Sequence, residues 1–295
     1  MKPPIFIIGN PRSGTTLLRL MLTCHRNIVI PPECGFVIWW YDKYKNWNSD
    51  FTEQQLEEYL DDLFYSKKIE TWHLQRELLR QFLLEKKIDT YSALVSSIYE
   101  FFAKQQKKSF KRWGDKNNFH LKHIETIFRL FPEARFIHII RDGRDVACSY
   151  KNLSKMKSKS MYAPKLPAGI SEIAKEWTEN IKRIRKSFEK IGWDKVIEIR
   201  YEDLVTVPEQ TLKSVCTFLK EHYDSSMLDF YILNKEKELE PMEFLKWKGK
   251  ILEKVTASQI QKYKKCLSMK ELRIFNSIAT DVVTIYKYFQ LCNPK

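Results

Sequence analysis

Residues 9–16 read GNPRSGTT and stand between the apolar run PIFII (4–8) and the segment LLRLMLTCH (17–25). Gly9 and Gly14 have the G-x-x-x-x-G spacing of a phosphate-binding loop, and Thr16 occupies the place where nucleotide triphosphatases keep a Ser or Thr. Thr15, however, stands where those proteins have their lysine. The surroundings predict a buried strand over Ile5 to Ile8 and a helix over Thr15 to Cys24 that begins where the loop ends. Backbone N–H groups of such a loop and of the helix start behind it form a site for an oxyanion. Ser13 and Gly14 complete the loop, Arg12 adds a charged fork, and Thr15 and Thr16 add hydroxyls. A turn that only packs a helix on a strand needs neither the arginine nor the two threonines.

A second anion site is suggested about 130 residues later, where the strand-like RFIHII (135–140) runs into RDGRDVACSY (141–150). Arg141 leaves the strand end and Ser149 follows about two helical turns on. Open α/β sheets bind ligands at strand ends of this kind. The plainer alternative pairs Arg141 and Arg144 with Asp142 and Asp145 as a solvated helix start.

The rest of the chain alternates in the same way. Residues 52–108 are helical in pattern, opened by a capping-box-like Thr52 to Gln55 and closed by YSALVSSIYEFFAKQQKK. HLKHIETIFRLF (120–131) reads as a helix before a turn at Pro132, KVIEIRYEDL (195–204) as a strand, and PEQTLKSVCTFL as a helix with Pro208 in its first turn. The tail from Ser258 to Gln290 is mostly helical. The expectation is a single α/β domain over 1–295, a central parallel sheet flanked by helices, with a helical insertion at about 50–110.

Composition sets the partner class. Lys plus Arg number 51 against 37 Asp plus Glu, a balance of +14 that favours anionic partners or serves solubility. The basic residues are dispersed and match no nucleic-acid-binding signature, so specific nucleic acid is not expected. The longest apolar runs are too short for a transmembrane anchor, and no signal peptide precedes the first strand, which leads us to expect a cytoplasmic protein. Cys24, Cys34, Cys148, Cys216, Cys266 and Cys292 show no metal-ligand spacing and are expected to be free thiols.

PRSGTT near the amino terminus, together with R-D-G-R-D-V-x-x-S, resembles the sulfotransferases that use 3′-phosphoadenosine 5′-phosphosulfate (PAPS) and release adenosine 3′,5′-bisphosphate (PAP). In that family the first loop holds the 5′-phosphosulfate and the second motif the 3′-phosphate. The resemblance extends through the Y-E-D-L segment and FLKWKGKI, and is strongest to the tyrosylprotein sulfotransferases, which share PRSGTTLxRxML, an acidic residue after the first helix, a "DK" segment and KWxGKI. It implies a P-loop-like sulfotransferase fold. It also implies Glu33 as general base, Lys116 as the lysine that stabilises the transition state, and Arg141, Ser149, Tyr201 and Lys246 as cofactor contacts. Two departures stand out: Leu153 occupies the place of a further cofactor arginine, and the segment before KW is shorter than in the subgroup.

The missing loop lysine then has a chemical reading. A sulfuryl group carries less charge than a triphosphate and leaves from one bridging oxygen, so positioning and electrostatic stabilisation should dominate, with no metal. Arg12 and Lys116 are expected near the bridging oxygen. By the resemblance Glu33 would take the proton of the attacking hydroxyl (or amine), and at the ordinary carboxylate pKa of ~4.3 it is a weak base for an alcohol unless burial raises it. His120 is the rival base, although His120 and His123 at i, i+3 fit a helix surface. Trp39, Trp40 and Tyr41 are candidates for an acceptor pocket or for core. Two alternatives remain: a P-loop kinase or nucleotidase using Mg²⁺, and a non-enzymatic polyanion-binding protein. The acceptor and any homodimer are left open.

Overall fold

The computed structural model describes residues 1–156 and 160–288; Cys292 and the end of the predicted helical tail, Phe289 and Gln290, lie outside them. Five strands, β1 (Ile5–Ile8), β2 (Ile28–Val29), β3 (Arg112–Lys116), β4 (Arg135–Ile140) and β5 (Val196–Arg200), form one all-parallel sheet in the order β2-β3-β1-β4-β5. β1 is central and buried on both faces: Phe6 and Ile8 enter one hydrophobic cluster, Ile5 and Ile7 another. Burial on both sides explains a continuous apolar run without alternation.

The helical insertion is as expected, with helices Glu53–Tyr65, Arg76–Leu84 and Tyr91–Gln105. Thr52 and Gln55 make the reciprocal capping box. Leu56, Leu60, Leu63, Leu94 and Ile98 pack into the cluster that holds Phe6, so the insertion covers one face of the sheet. Helices Thr15–Cys24, Gly143–Ser154 and Pro208–Leu219 coincide with the sequence reading.

Three elements differ from it. β3, RWGDK, carries charge at three of its five positions yet is buried throughout. Each charge has a dedicated partner: Arg112 donates to the carbonyls of Pro3 (2.6 Å) and Leu219 (2.8 Å), and Asp115 accepts from Tyr99 (2.7 Å). A 22-residue helix, Ile170–Ile191, buries Ile173, Trp177, Ile181, Ile184 and Phe188 at helical spacing. The predicted strand KVIEIRYEDL ends at Arg200, and Tyr201–Thr206 is already helix. The chain leaves β1 towards β2 on one edge and later returns past it to β4 and β5, placing the carboxyl ends of β1 and β4 at the switch in strand order where α/β sheets bind ligands.

Candidate active site

A cavity of about 400 Å³ opens at that switch point. It is lined by Arg12, Gly14, Thr15 and Thr16 from the loop after β1, Lys116 from the end of β3, Arg141 and Ser149 from beyond β4, Tyr201 from beyond β5, and Glu33. Strand order therefore gathers nearly all of the residues singled out in the sequence.

The loop has two steric requirements. Gly14 has φ 95°, and a Cβ there would sit 2.5 Å from Tyr201 Cδ2; a Cβ on Gly9 would sit 2.7 Å from the Ile139 carbonyl oxygen. The loop thus presses against β4 and Tyr201, a closeness that only glycine permits. Arg12 itself has φ 69°, an uncommon conformation of the kind that collects at functional sites. Gly14 gives the helix Thr15–Cys24 no side-chain cap, which leaves its first N–H groups without that partner at a helix start whose Thr15 and Thr16 line the cavity. Ser13 is buried behind the loop outside the cavity lining, with an Oγ that has no hydrogen-bond partner among the described residues. Behind it, Asn10 donates to Tyr150 (3.2 Å) and accepts from Asn180 (2.8 Å), tying the loop to the helices Gly143–Ser154 and Ile170–Ile191.

The two motifs touch. Arg12 Nε donates to Ser149 Oγ (3.1 Å), and Arg141 donates to the Arg12 carbonyl (3.0 Å) and to that of Gln259 (2.8 Å), with its guanidinium 4.3 Å from the centre of the Tyr201 ring. Neither arginine has a carboxylate within ion-pair distance among the described residues: the bridge from this motif is Arg144 to Asp142 (2.7 Å), and it is buried, not a solvated helix start. Desolvation, and then the charge of Arg141, hold the Arg12 guanidinium down to about 10. Two guanidinium groups that repel each other and lack counter-charges leave a local positive charge that an anion would offset.

At the other end of the cavity Glu33 pairs with Lys116 and with Lys68 (2.7 Å). Burial alone would raise the Glu33 carboxyl, the condition under which it would be a stronger base, but Lys116, Lys248 and Lys68 outweigh it and hold the group well below the usual range. Burial also pushes Lys116 down to about 8, against the pull of Glu33. Glu33 is therefore an anion whose basicity is suppressed while its lysines face it.

Other residues call for correction. His120 is fully buried, not on a helix surface; it lies within 2.9 Å of Asp115 and stacks edge-on to Phe6, outside the cavity lining. Lys246 is exposed and does not line the cavity, whereas Lys248 does. Both lie on the helical turn Leu245–Lys248, where positions two apart point about 200° from each other, so only one can face inward. Trp39, Trp40 and Tyr41 do not line the cavity; Trp40 and Tyr41 pack beside the insertion core. The aromatic wall is Tyr162, Phe244 and Trp247 instead. Lys68, Lys248, Tyr162 and Phe244 were missed. Lys68 sits in a left-handed position after a helix end, and nothing in the local pattern marks it. The five described cysteines are all free.

A model of the family described as "Sulfotransferase family" matches residues 3–225. A Drosophila melanogaster protein-tyrosine sulfotransferase is 25% identical over 226 residues, covering 77% of this chain and 40% of the fly protein, so the chain spans well under half of that relative. Among solved structures, the sulfotransferase domain of the Synechococcus PCC 7002 olefin synthase is similar with a TM-score of 0.60 and 21% identity, covering 95% of this chain and 96% of that domain. A mouse sulfotransferase complexed with PAP has a TM-score of 0.51 and 13% identity, covering 99% of this chain and 90% of the mouse chain.

Proposed function

The chain belongs to the sulfotransferase family, and from that premise we propose that it transfers a sulfuryl group from PAPS to a hydroxyl-bearing acceptor. The observation that carries this reading is the joined pair Arg12 and Arg141, two carboxylate-free guanidinium groups at the ends of adjacent strands in one cavity. Arg141, whose Nε has no partner among the described residues, lines the cavity and fits a ligand rich in acceptor oxygens. The phosphosulfate belongs at the loop, with Arg12, Gly14, Thr15 and Thr16, and the 3′-phosphate at Arg141 and Ser149.

In the reaction the acceptor oxygen bonds to sulfur, the bond from sulfur to the bridging oxygen breaks, and PAP leaves with that electron pair. Lys116 and Arg12 stabilise the charge gathering on the leaving oxygen. Glu33 receives the acceptor proton, and it gains basicity as Lys116 turns from it to the donor.

The kinase alternative needs a strand-end aspartate free to hold Mg²⁺. Asp142 caps the helix after β4 and pairs with Arg144, and Asp115 is engaged by Tyr99 and His120. No helix among the described residues is long and apolar enough to cross a membrane. The described free thiols suit a reducing compartment.

The test offers labelled PAPS with fractionated cell extract in the presence of EDTA. Label passing to an acceptor at an undiminished rate is expected. An absolute requirement for Mg²⁺ would return the protein to the kinase reading.

A further inference from the structure

A second buried ionic cluster borders the acceptor end of the cavity, and neither anion motif accounts for it. Glu240 is 3% exposed, and its two oxygens are divided between two cations: Oε2 accepts from Arg19 (2.5 Å) and Oε1 from Lys248 (2.5 Å). Arg19 comes from the helix behind the glycine loop, is 1% exposed, and gives its remaining N–H groups to the carbonyls of Ile30 and Leu239. Lys248 reaches the cavity wall, and its charge acts on both Glu33 and Lys116. Its ammonium also lies 5.1 Å from the centre of the Phe244 ring, and that of Lys68 lies 5.2 Å from the same centre.

Burying an ammonium costs several kcal/mol unless it is paired. Glu240 and Arg19 form an anchor that makes this burial affordable and leaves Lys248 little freedom to swing away. Among the described residues, the carboxylates that Arg19, Lys68, Lys116 and Lys248 pair with are Glu33 and Glu240 alone. The surplus positive charge is complemented by an anion entering between Lys116 and Lys248. The phosphates of the donor have their own cations in Arg12 and Arg141, so the group left for this corner is the sulfuryl group.

Resting on the sulfuryl-transfer reading, we propose that Lys248 is a further catalytic residue, contacting the non-bridging oxygens of the transferring sulfuryl group, with Glu240 and Arg19 as the positioning pair that aims it. Lys248 acts through its charge and forms no covalent bond. It opposes Lys116 across the reacting sulfur and stabilises charge that the product PAP no longer carries.

PAPS and PAP differ by this sulfuryl group, so calorimetry with both ligands isolates the contact without an acceptor. Lys248→Ala is expected to weaken PAPS roughly 10-fold or more, as for loss of a charge-assisted contact, while PAP stays within about 3-fold. Lys248→Arg restores part of the loss. Glu240→Gln lowers the ratio of PAPS to PAP affinity in the same direction, whereas a purely structural role would weaken both ligands alike. Lys246→Ala, an exposed control, changes neither. Equal losses for PAPS and PAP in Lys248→Ala, or no loss for either, would overturn the assignment. Wild-type protein that binds neither ligand would instead overturn the sulfotransfer reading itself.

Discussion

Glu33→Gln is expected to lower turnover by roughly 10²–10⁴, the scale of a lost general base, with PAP affinity unchanged or higher. Affinity does not fall because the substitution removes a negative charge from beside Lys116, Lys68 and Lys248. Lys116→Ala lowers turnover by a different route, through charge stabilisation. Because Lys116 is held near 8, kcat/KM of the wild type should fall as pH rises through that value and the ammonium is lost. Glu33 is deprotonated on both sides of that limb, since its carboxyl is held well below the usual range. Lys116→Ala should lack the limb. His120→Asn acts on stability, through the buried contact with Asp115, and leaves the pH profile in place. Full turnover in Glu33→Gln, measured with the labelled acceptor, would remove it as the base.

Arg12→Met is expected to separate binding from stability. Arg12 is desolvated and repelled by Arg141, so the unliganded fold gains little from its charge. Its thermal midpoint should hold or rise in the variant, despite the lost hydrogen bonds to Ser149 and to the Trp247 carbonyl. PAP affinity should fall roughly 10- to 150-fold, equivalent to about 1.5–3 kcal/mol for a charge-assisted contact. In the wild type, PAP at about 100 times its Kd should add roughly 2.7 kcal/mol of stability. A destabilised variant that PAP still stabilises fully would show Arg12 to be structural.

The parts of the fold that were legible in sequence are those where local pattern and tertiary role agree. β1 is buried on both faces and reads as an apolar run, and Thr15–Cys24 follows directly from the loop. β3 was not legible, because its hydrophobic pattern is interrupted by charges, and the partners of Arg112 and Lys116, the Leu219 carbonyl and Glu33, lie 107 and 83 residues away in the chain. The same distinction applies to the site. Arg12, Arg141 and Ser149 belong to compact motifs, so sequence finds them; Lys68 reaches Glu33 only through the folding of the insertion. Lys246 and Lys248 share one motif, and choosing between them requires the helical phase and the buried partner Glu240. The basicity of Glu33 could not be read either, since burial and three lysines act in opposite directions and only the packed geometry decides between them.

The central claim is that two anion sites, one at Arg12 and one at Arg141, hold the two ends of a single 3′-phosphorylated nucleotide. Calorimetry comparing PAP with adenosine 5′-monophosphate tests it most directly. PAP should bind tighter by roughly 10- to 150-fold, about 1.5–3 kcal/mol for the 3′-phosphate contact with Arg141 and Ser149. Equal affinities for the two nucleotides would contradict it.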